Sequence, residues 1–114
     1  MYQFDAKARK YAAELIESGE HLQYSPIERI FLYLPFEHAE EDDLQTQSVE
    51  LFTQLRDSIE AGDQRSAYDH TLEYAIKHQE VVSQYGRFPH RNEILKREST
   101  EEEQAYLAQP GSGF

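Results

Sequence analysis

The sequence predicts an all-α domain, and three observations lead to this prediction. Apolar residues recur at the spacing of one helix face along nearly the whole chain. No stretch alternates apolar and polar residues over more than a few positions, so no sheet is expected. Helix-start and helix-stop residues divide the chain into about five to six helices. Because the chain has 114 residues, we expect residues 1–114 to form a single domain.

The first two helices are predicted from the residues at their ends. Asp5 is a suitable N-cap for the first helix, and Gly19 fits its carboxyl end. Ser25 opens the second helix, where Glu28 completes a capping box in which each side chain accepts a hydrogen bond from the other backbone amide. Pro35 removes one helical hydrogen bond, so we expect it to kink or end this helix.

The third and fourth helices follow from their apolar faces. The third begins at residues 42–43, and the fourth is the longest, at about 64–85, with Gly86 as its stop. The inner face of the fourth helix is predicted to consist of Tyr68, Leu72, Ala75, Ile76 and Val82. His70 and His78 on this helix are about 12 Å apart along its axis, so they cannot share one metal ion. We expect both to be exposed, and we read His21 as a loop residue without a role.

The last part of the sequence contains two further helix starts. Pro89 suits the first turn of a short helix at about 90–96. Residues 99–103 carry a doubled capping-box pattern, Ser99 with Glu102 and Thr100 with Glu103, which opens a last helix that runs through Leu107.

The composition excludes several classes of protein. A formal charge of −11 disfavours binding to nucleic acid or to anionic membranes. The absence of cysteine excludes disulfide frameworks and thiol chemistry. No apolar run reaches about 18 residues, and the charged amino terminus does not look like a signal peptide. We therefore expect a cytoplasmic protein with no membrane or nucleic-acid partner and no cofactor.

The first candidate site is LPFEHAEE, residues 34–41, which we call the proline segment. It presents Glu37 and His38 side by side, with more carboxylates behind them. A histidine beside carboxylates can act as a general base or as part of a metal site. One histidine is a weak metal signature, so no metal site is predicted. Alternatively, Glu37 or His38 satisfies backbone groups that the proline leaves unpaired.

The second candidate site is residues 86–97, the basic segment, which holds four of the 11 Lys and Arg residues against Glu93 alone. Internal carboxylates can pair with Arg87 or Arg91 through two-pronged hydrogen bonds. The candidate partners are Glu28, Glu37 and Glu40. Alternatively, the amide groups that follow Pro89 form a pocket for an external carboxylate or phosphate, which the flanking arginines complete.

Three stretches resemble a known family: SPIERIFLYLPFEHAE, GRFPHRNEILKREST and EEEQAYLAQPGSGF. They are similar to the motifs of the bacterial domain-of-unknown-function family 924, over about residues 4–114. The resemblance implies a tetratricopeptide-like fold of antiparallel helical hairpins and no established activity. By motif match it implies a ligand-binding set of Glu37, His38, Arg87, His90, Arg91 and Asn92, and more weakly Arg29 and Arg97.

The sequence departs from the family pattern at two positions and in length. Lys96 stands where the family usually has Gly, and Ala39 where it usually has Ser. An amino-terminal half with a second Arg-Asn motif is absent, so the chain resembles a carboxyl-terminal half. The face left without that half is expected to join two copies as a homodimer, because monomers rarely expose a large apolar patch. The candidate residues are Phe4, Tyr11, Leu15, Phe31 and Tyr33.

The sequence leaves three functional interpretations open. The first is a helical module that binds a small anion or an acidic peptide end. The second is an enzyme of unknown reaction that uses His38 or His90 as acid or base, with an arginine stabilising an oxyanion. The third is a structural or protein-interaction domain in which the motifs form a buried polar network. Tetratricopeptide-like folds commonly bind peptides, which favours the first and third by analogy.

Overall fold

The computed structural model describes residues 2–60 and 62–110, with side chains for 7–60, 62 and 64–110. These residues form five α-helices and no strand, which confirms the all-α prediction. The helices are α1 (Tyr2–Ser18), α2 (Pro26–Glu37), α3 (Asp42–Asp57), α4 (Asp63–Tyr85) and α5 (Glu101–Leu107). Short 3-10 helices span Glu20–Gln23 and Pro89–Arg91. Among the described helices, none has the length and apolar character that crossing a bilayer requires.

The predicted helix ends are largely confirmed. Ser25 and Glu28 exchange the two capping-box hydrogen bonds at the start of α2, at 3.0 and 3.3 Å. Thr100 and Glu103 do the same at the start of α5, at 2.9 and 3.1 Å. Gly86 ends α4 with a φ angle of 71°, in the left-handed region where glycine is favoured.

Two predicted helix ends are wrong. Helix α1 already begins at Tyr2, so Asp5 lies within it, and the Asp5 side chain is outside the described part. Pro35 lies inside α2, which continues to Glu37, so the helix does not end at the proline, and the predicted alternative of a kink stays a prediction. A proline late in a helix removes only one hydrogen bond, and the surrounding packing holds the last turn in place.

The main core forms where α1, α2, α3 and α4 pack together in sequence order. Its buried residues are Ala12, Tyr33, Phe36, Leu51, Phe52, Leu55, Leu72 and Ala75. A second apolar cluster, of Val81, Val82 and Phe88, lies at the end of α4, with Tyr85 and Tyr106 packed against it. This second cluster supports the basic segment.

The inner face of α4 differs from the prediction at two positions. Ile76 is exposed, whereas His78 is only 5% exposed. Position 78 lies three residues after the buried Ala75 and four before the buried Val82, so it shares their helix face. The prediction of an exposed His78 was therefore wrong.

A separate polar group near the start of α2 contains His21 and Arg29, and both residues have surroundings that differ from the sequence-based expectation. His21 is buried in the first 3-10 helix, and its Nδ1 lies 2.6 Å from the Tyr33 hydroxyl. Arg29 Nε donates to the same hydroxyl at 3.0 Å. Arg29 lies eight residues before Glu37, about 12 Å along the helix, so it does not join the other candidate site residues.

The predicted apolar face is only partly exposed. Tyr11 and Phe31 are 59% and 69% exposed, as expected. Leu15 and Tyr33 are buried inside the chain, so they cannot form a surface. The Phe4 side chain lies outside the described part of the chain.

Candidate functional site

The proline segment and the basic segment meet through Glu40. Its carboxylate accepts two hydrogen bonds from Arg97, at 3.0 and 3.1 Å, and one from the backbone amide of Phe88, at 2.6 Å. Arg97 also donates to the Phe88 carbonyl at 3.2 Å. We call Glu40, Arg97 and the Phe88 backbone the clamp. The predicted contact between the two segments is therefore confirmed. The ion pair that joins them is made by Arg97, whereas the prediction named Arg87 or Arg91.

The clamp determines the charge state of Glu40. Burial alone would raise the pKa of Glu40, but the hydrogen bonds from Arg97 and Phe88 and the charges of Arg97 and Arg91 outweigh it, so this pKa is lowered. Such short hydrogen bonds to an ionised group are among the stronger polar contacts in proteins.

Arg87 has a different partner from the predicted ones. Its guanidinium donates to both oxygens of Glu103, at 2.6 and 2.8 Å, and to the carbonyl of Glu98 at 2.7 Å. Glu103 is the capping-box residue of α5 and is buried. The hydrogen bond from Arg87, helped by donors from Thr100 and Asn92, lowers the pKa of Glu103 to about 2.

Residues 92–97 form an irregular turn where the sequence predicted a helix. The amide of Arg97 donates to the Asn92 carbonyl at 2.7 Å, and that of Lys96 to Glu93 at 3.2 Å. Lys96 has a φ angle of 56°, the only positive value at a non-glycine residue in the described chain. These are the features of a helix-ending motif that normally carries glycine. Buried Asn92 fixes the turn by donating to Ser99 Oγ at 3.0 Å.

The predicted anion pocket at the amides after Pro89 stays a prediction, and two of these amides, those of Arg91 and Asn92, donate to backbone carbonyls of the chain. The helical stretch there is only the three-residue 3-10 helix. The Phe88 amide donates to Glu40, and the Arg91 amide donates to the Phe88 carbonyl at 3.0 Å. The Arg91 guanidinium instead lies 4.6 Å above the Phe88 ring, a cation–π contact.

Beside the clamp lies the Glu37 cluster, which consists of Glu37, His38 and His78. Glu37 ends α2, His38 follows it, and His78 comes from α4. Glu37 Oε2 is 3.8 Å from His38 Nε2, and Glu37 Oε1 is 4.0 Å from His78 Nδ1. Both distances exceed that of a hydrogen bond. One ligand atom from each residue falls within 4.8 Å of the other two.

Burial controls protonation in the Glu37 cluster. Loss of water contact raises the pKa of Glu37 to about 7. Burial, with smaller contributions from neighbouring positive groups, lowers the pKa of His78 to about 4. At neutral pH, His78 is therefore uncharged, and Glu37 is close to half protonated. The 4.0 Å contact between them is not a charged ion pair under these conditions.

Aromatic rings connect the Glu37 cluster to the basic segment. The His78 ring centre lies 6.1 Å from that of His38 and 5.4 Å from that of Phe88. Phe88 in turn lies 5.8 Å from His90. Burial, followed by the positive charge of Arg91, lowers the pKa of His90. Fully buried Phe88 is thus the centre around which the histidines and Arg91 are arranged.

Gln45 of α3 satisfies the backbone at the end of α2. Its Nε2 donates to the carbonyls of Glu37 and Ala39, both at 2.7 Å. The expectation that the Glu37 or His38 side chain serves the end of this helix stays a prediction. The need for a side-chain partner was correct, and α3 provides it.

Comparison with known proteins places the chain in a family. The family model of bacterial proteins of unknown function called DUF924 matches residues 1–111. The chain belongs to the DUF924 family. The match spans nearly the whole chain, so it does not support the narrower prediction of a carboxyl-terminal half alone.

One solved structure is similar to this DUF924 chain. It is a protein of unknown function from Agrobacterium tumefaciens, with 40% sequence identity and a TM-score of 0.78. The similarity covers 95% of this chain and 55% of that one, so this chain spans about half the length of that protein. The curated proteins contain no match.

The predicted site residues of the DUF924 chain fall into three groups. Four of them, Glu37, His38, His90 and Arg91, lie in the Glu37 cluster or next to the Phe88 ring. The fold-holding contacts use Arg87, Asn92 and Arg97, and Arg29 is apart. Sequence reasoning missed the roles of His78 and Glu103. The spacing of His78 from buried α4 residues and the capping-box position of Glu103 are signals that point to their burial.

Proposed function

We propose that this chain is a helical binding module that takes a small carboxylate or phosphate beside Arg91, with His38 and His90 as further contacts. The observation that supports this most strongly is the position of Arg91, whose guanidinium is held over the buried Phe88 ring. Arginine side chains stack on aromatic faces, as Arg91 does here, and they recognise carboxylates and phosphates through two-pronged contacts.

Local charge supports an anionic ligand in spite of the acidic chain. Glu103 and Glu40 form ion pairs with Arg87 and Arg97, and the charge of Arg91 is one of the causes that lower the pKa of His90. Burial is the largest of these causes, and Arg91 and Arg97 add positive charge beside His90. Because Glu37 is close to half protonated at neutral pH, it opposes an incoming anion only in part.

The test is stabilisation by added anions. We expect inorganic phosphate and acetate to raise the melting temperature of the wild type and not that of Arg91→Ala. Lys77→Ala is the matched control, because Lys77 also lies over an aromatic ring, that of Tyr74, at 5.5 Å. This control should retain the full effect of phosphate. An equal effect in Arg91→Ala, after correction for its own stability, would remove Arg91 from the proposal.

The same measurement identifies the type of anion. A short peptide with a free carboxyl terminus should stabilise the protein, and its amidated form should not, if a peptide end is the ligand. Phosphate alone would be effective if the ligand is a phosphate compound. The alternative of an enzyme with His38 or His90 as acid or base requires a substrate in the same place, so binding is the first property to measure.

A second proposal concerns self-association through the exposed face of α1 and α2. Phe31 and Ile27 are more than 60% exposed and lie one turn apart on α2, with exposed Tyr11 and Leu22 on the preceding elements. Ile27 also lines an apolar groove of about 500 Å³ between α2 and α4.

Light scattering over a concentration series tests the homodimer. We expect dimers of the wild type and of Ile94→Ser, a control at an equally exposed position in the basic segment. Phe31→Ser should remain monomeric, because it removes the most exposed aromatic ring of the face. Monomers of the wild type at every concentration would exclude the proposal.

A further inference from the structure

We propose that Glu37, His38 and His78 form a binding site for a divalent first-row transition-metal ion. The side chains come from two different helices and from the turn after α2, and the fold brings one ligand atom of each within 4.8 Å of the others. The proposal goes beyond anion binding at Arg91, because Glu37 and His78 are donors that the anion proposal does not use, and His38 is the residue that the two proposals share.

The observed distances are close to those of a coordinated ion. A tetrahedral zinc ion bound at about 2.0–2.1 Å holds its donor atoms about 3.3 Å apart. Glu37 Oε2 lies 3.8 Å from His38 Nε2, and one ligand atom of His78 lies within 4.8 Å of the ligand atoms of the other two residues. Small side-chain rotations are therefore enough to close the site. The His38 side chain is 37% exposed, so it has room to rotate and leaves a path to solvent.

The donor set selects the class of metal. Two imidazole rings and one carboxylate suit zinc and its first-row neighbours, whereas magnesium and calcium prefer oxygen ligands alone. Three protein ligands leave at least one coordination position for water or a further ligand. The site therefore has the composition of an open metal centre.

The surroundings of two ligands already support coordination. His78 Nδ1 donates to the Tyr74 carbonyl at 2.7 Å, which places the lone pair of this ring on Nε2. Metal-bound histidines commonly donate their other ring nitrogen in this way, because it fixes the tautomer and the ring orientation. The backbone carbonyl of Glu37 accepts from Gln45 at 2.7 Å, which fixes the chain at the second ligand. Sequence reasoning predicted no metal site because it found a single histidine in the proline segment, and it separately placed His78 on the surface.

Calorimetric titration tests the site. Protein without a histidine tag is stripped with a chelator and titrated with zinc, and with magnesium as the contrasting ion. We expect one zinc ion per chain and no magnesium binding. Glu37→Gln and His38→Gln should each weaken zinc binding at least about tenfold, since each removes one of three ligands.

His70→Gln is the matched control. His70 lies on the same helix as His78 and is 3.6 Å from Glu73, but this pair is exposed. We expect zinc affinity to be unchanged in this variant. Unchanged affinity in both Glu37→Gln and His38→Gln, or no zinc binding by the wild type, would overturn the proposal. Both of these variants are first shown to be folded by circular dichroism, and His38→Gln is at a partly exposed position where folding is least at risk.

The two proposals fail independently. Arg91→Ala should lose stabilisation by phosphate and retain zinc binding. Glu37→Gln should lose zinc binding and retain stabilisation by phosphate. Loss of both properties in either variant would contradict the assignment of Arg91 to the anion and of Glu37 to the metal.

Discussion

Two glutamates of the proline segment, three residues apart, have opposite environments. Glu40 accepts two hydrogen bonds from Arg97 and one from the Phe88 amide, and its pKa is lowered. Glu37 is 5% exposed, lies 3.8 and 4.0 Å from its histidine neighbours, and has a pKa raised to about 7. The same side chain in one short segment is thus ionised at one position and close to half protonated at the other.

The difference separates residues that hold the fold from residues that are available for chemistry. A carboxylate with charged donors at both oxygens is stable only in its ionised, bonded form. A buried carboxyl with distant basic neighbours is costly when ionised, and such groups are often found at functional sites. Glu40 therefore belongs to the contacts that hold the fold, which we call the frame. Glu37 belongs to the candidate site that the frame holds in place.

The sharpest test of this comparison is the isosteric substitution Glu37→Gln. The unfolded carboxyl loses its proton near pH 4.5 and the folded one near pH 7, so wild-type stability falls as the pH rises through this window. Glutamine does not titrate, so this pH-dependent loss of stability is absent from the variant. We expect the free energy of unfolding to rise by up to about 3 kcal/mol at pH 8 and to change little at pH 4. Urea unfolding in chelator at both pH values measures the effect.

The matched substitution Glu40→Gln should have the opposite sign. It removes a charged acceptor from Arg97, so we expect a loss of about 2 kcal/mol at pH 7. Because the folded pKa of Glu40 is lowered, this contribution is present above pH 4.5 and is lost as the pH falls through the folded value. If both variants shift stability in the same direction at pH 7–8, the distinction between frame and site is wrong.

The smallest expected effect concerns the geometry of the frame. Lys96 adopts a φ of 56°, which is strained for any residue with a Cβ atom, and the following residue is Arg97 of the clamp. Lys96→Gly should relieve this strain and stabilise the protein by about 0.5–1 kcal/mol, in spite of the greater freedom of glycine in the unfolded chain. Thermal unfolding measures the gain.

The control for this substitution is Glu98→Gly. Glu98 is exposed and has no positive φ, so glycine there adds only freedom to the unfolded chain and should destabilise slightly. Equal destabilisation by both substitutions would mean that the turn at Lys96 is not strained, and the usual glycine of the family pattern would then need another reason.

The local features of the fold were predictable from the sequence. The capping boxes at Ser25 and Thr100 and the stop at Gly86 were found at the predicted residues. Each depends on groups within about four residues of one another, so the sequence contains all the participants. The meeting of the proline and basic segments was also predicted, because isolated charges of one sign require partners.

The sequence could not decide which partners meet. Arg97 and Glu40 are 57 residues apart, and the Phe88 amide is 48 residues from Glu40. Arg87 had several acidic residues available, and only the docking of α5 selects Glu103. His78 looked like an ordinary surface residue until the packing of α4 on α3 and α2 turned its face inward.

The sequence by itself determined the helical class, the helix ends that local capping controls, and the two segments in which charged groups collect. Only the tertiary structure decided that Glu40 is bonded while Glu37 is left among histidines, because desolvation and long-range ion pairing depend on which helices pack together. Short-range hydrogen bonds are encoded within a few residues, whereas burial belongs to the assembled core.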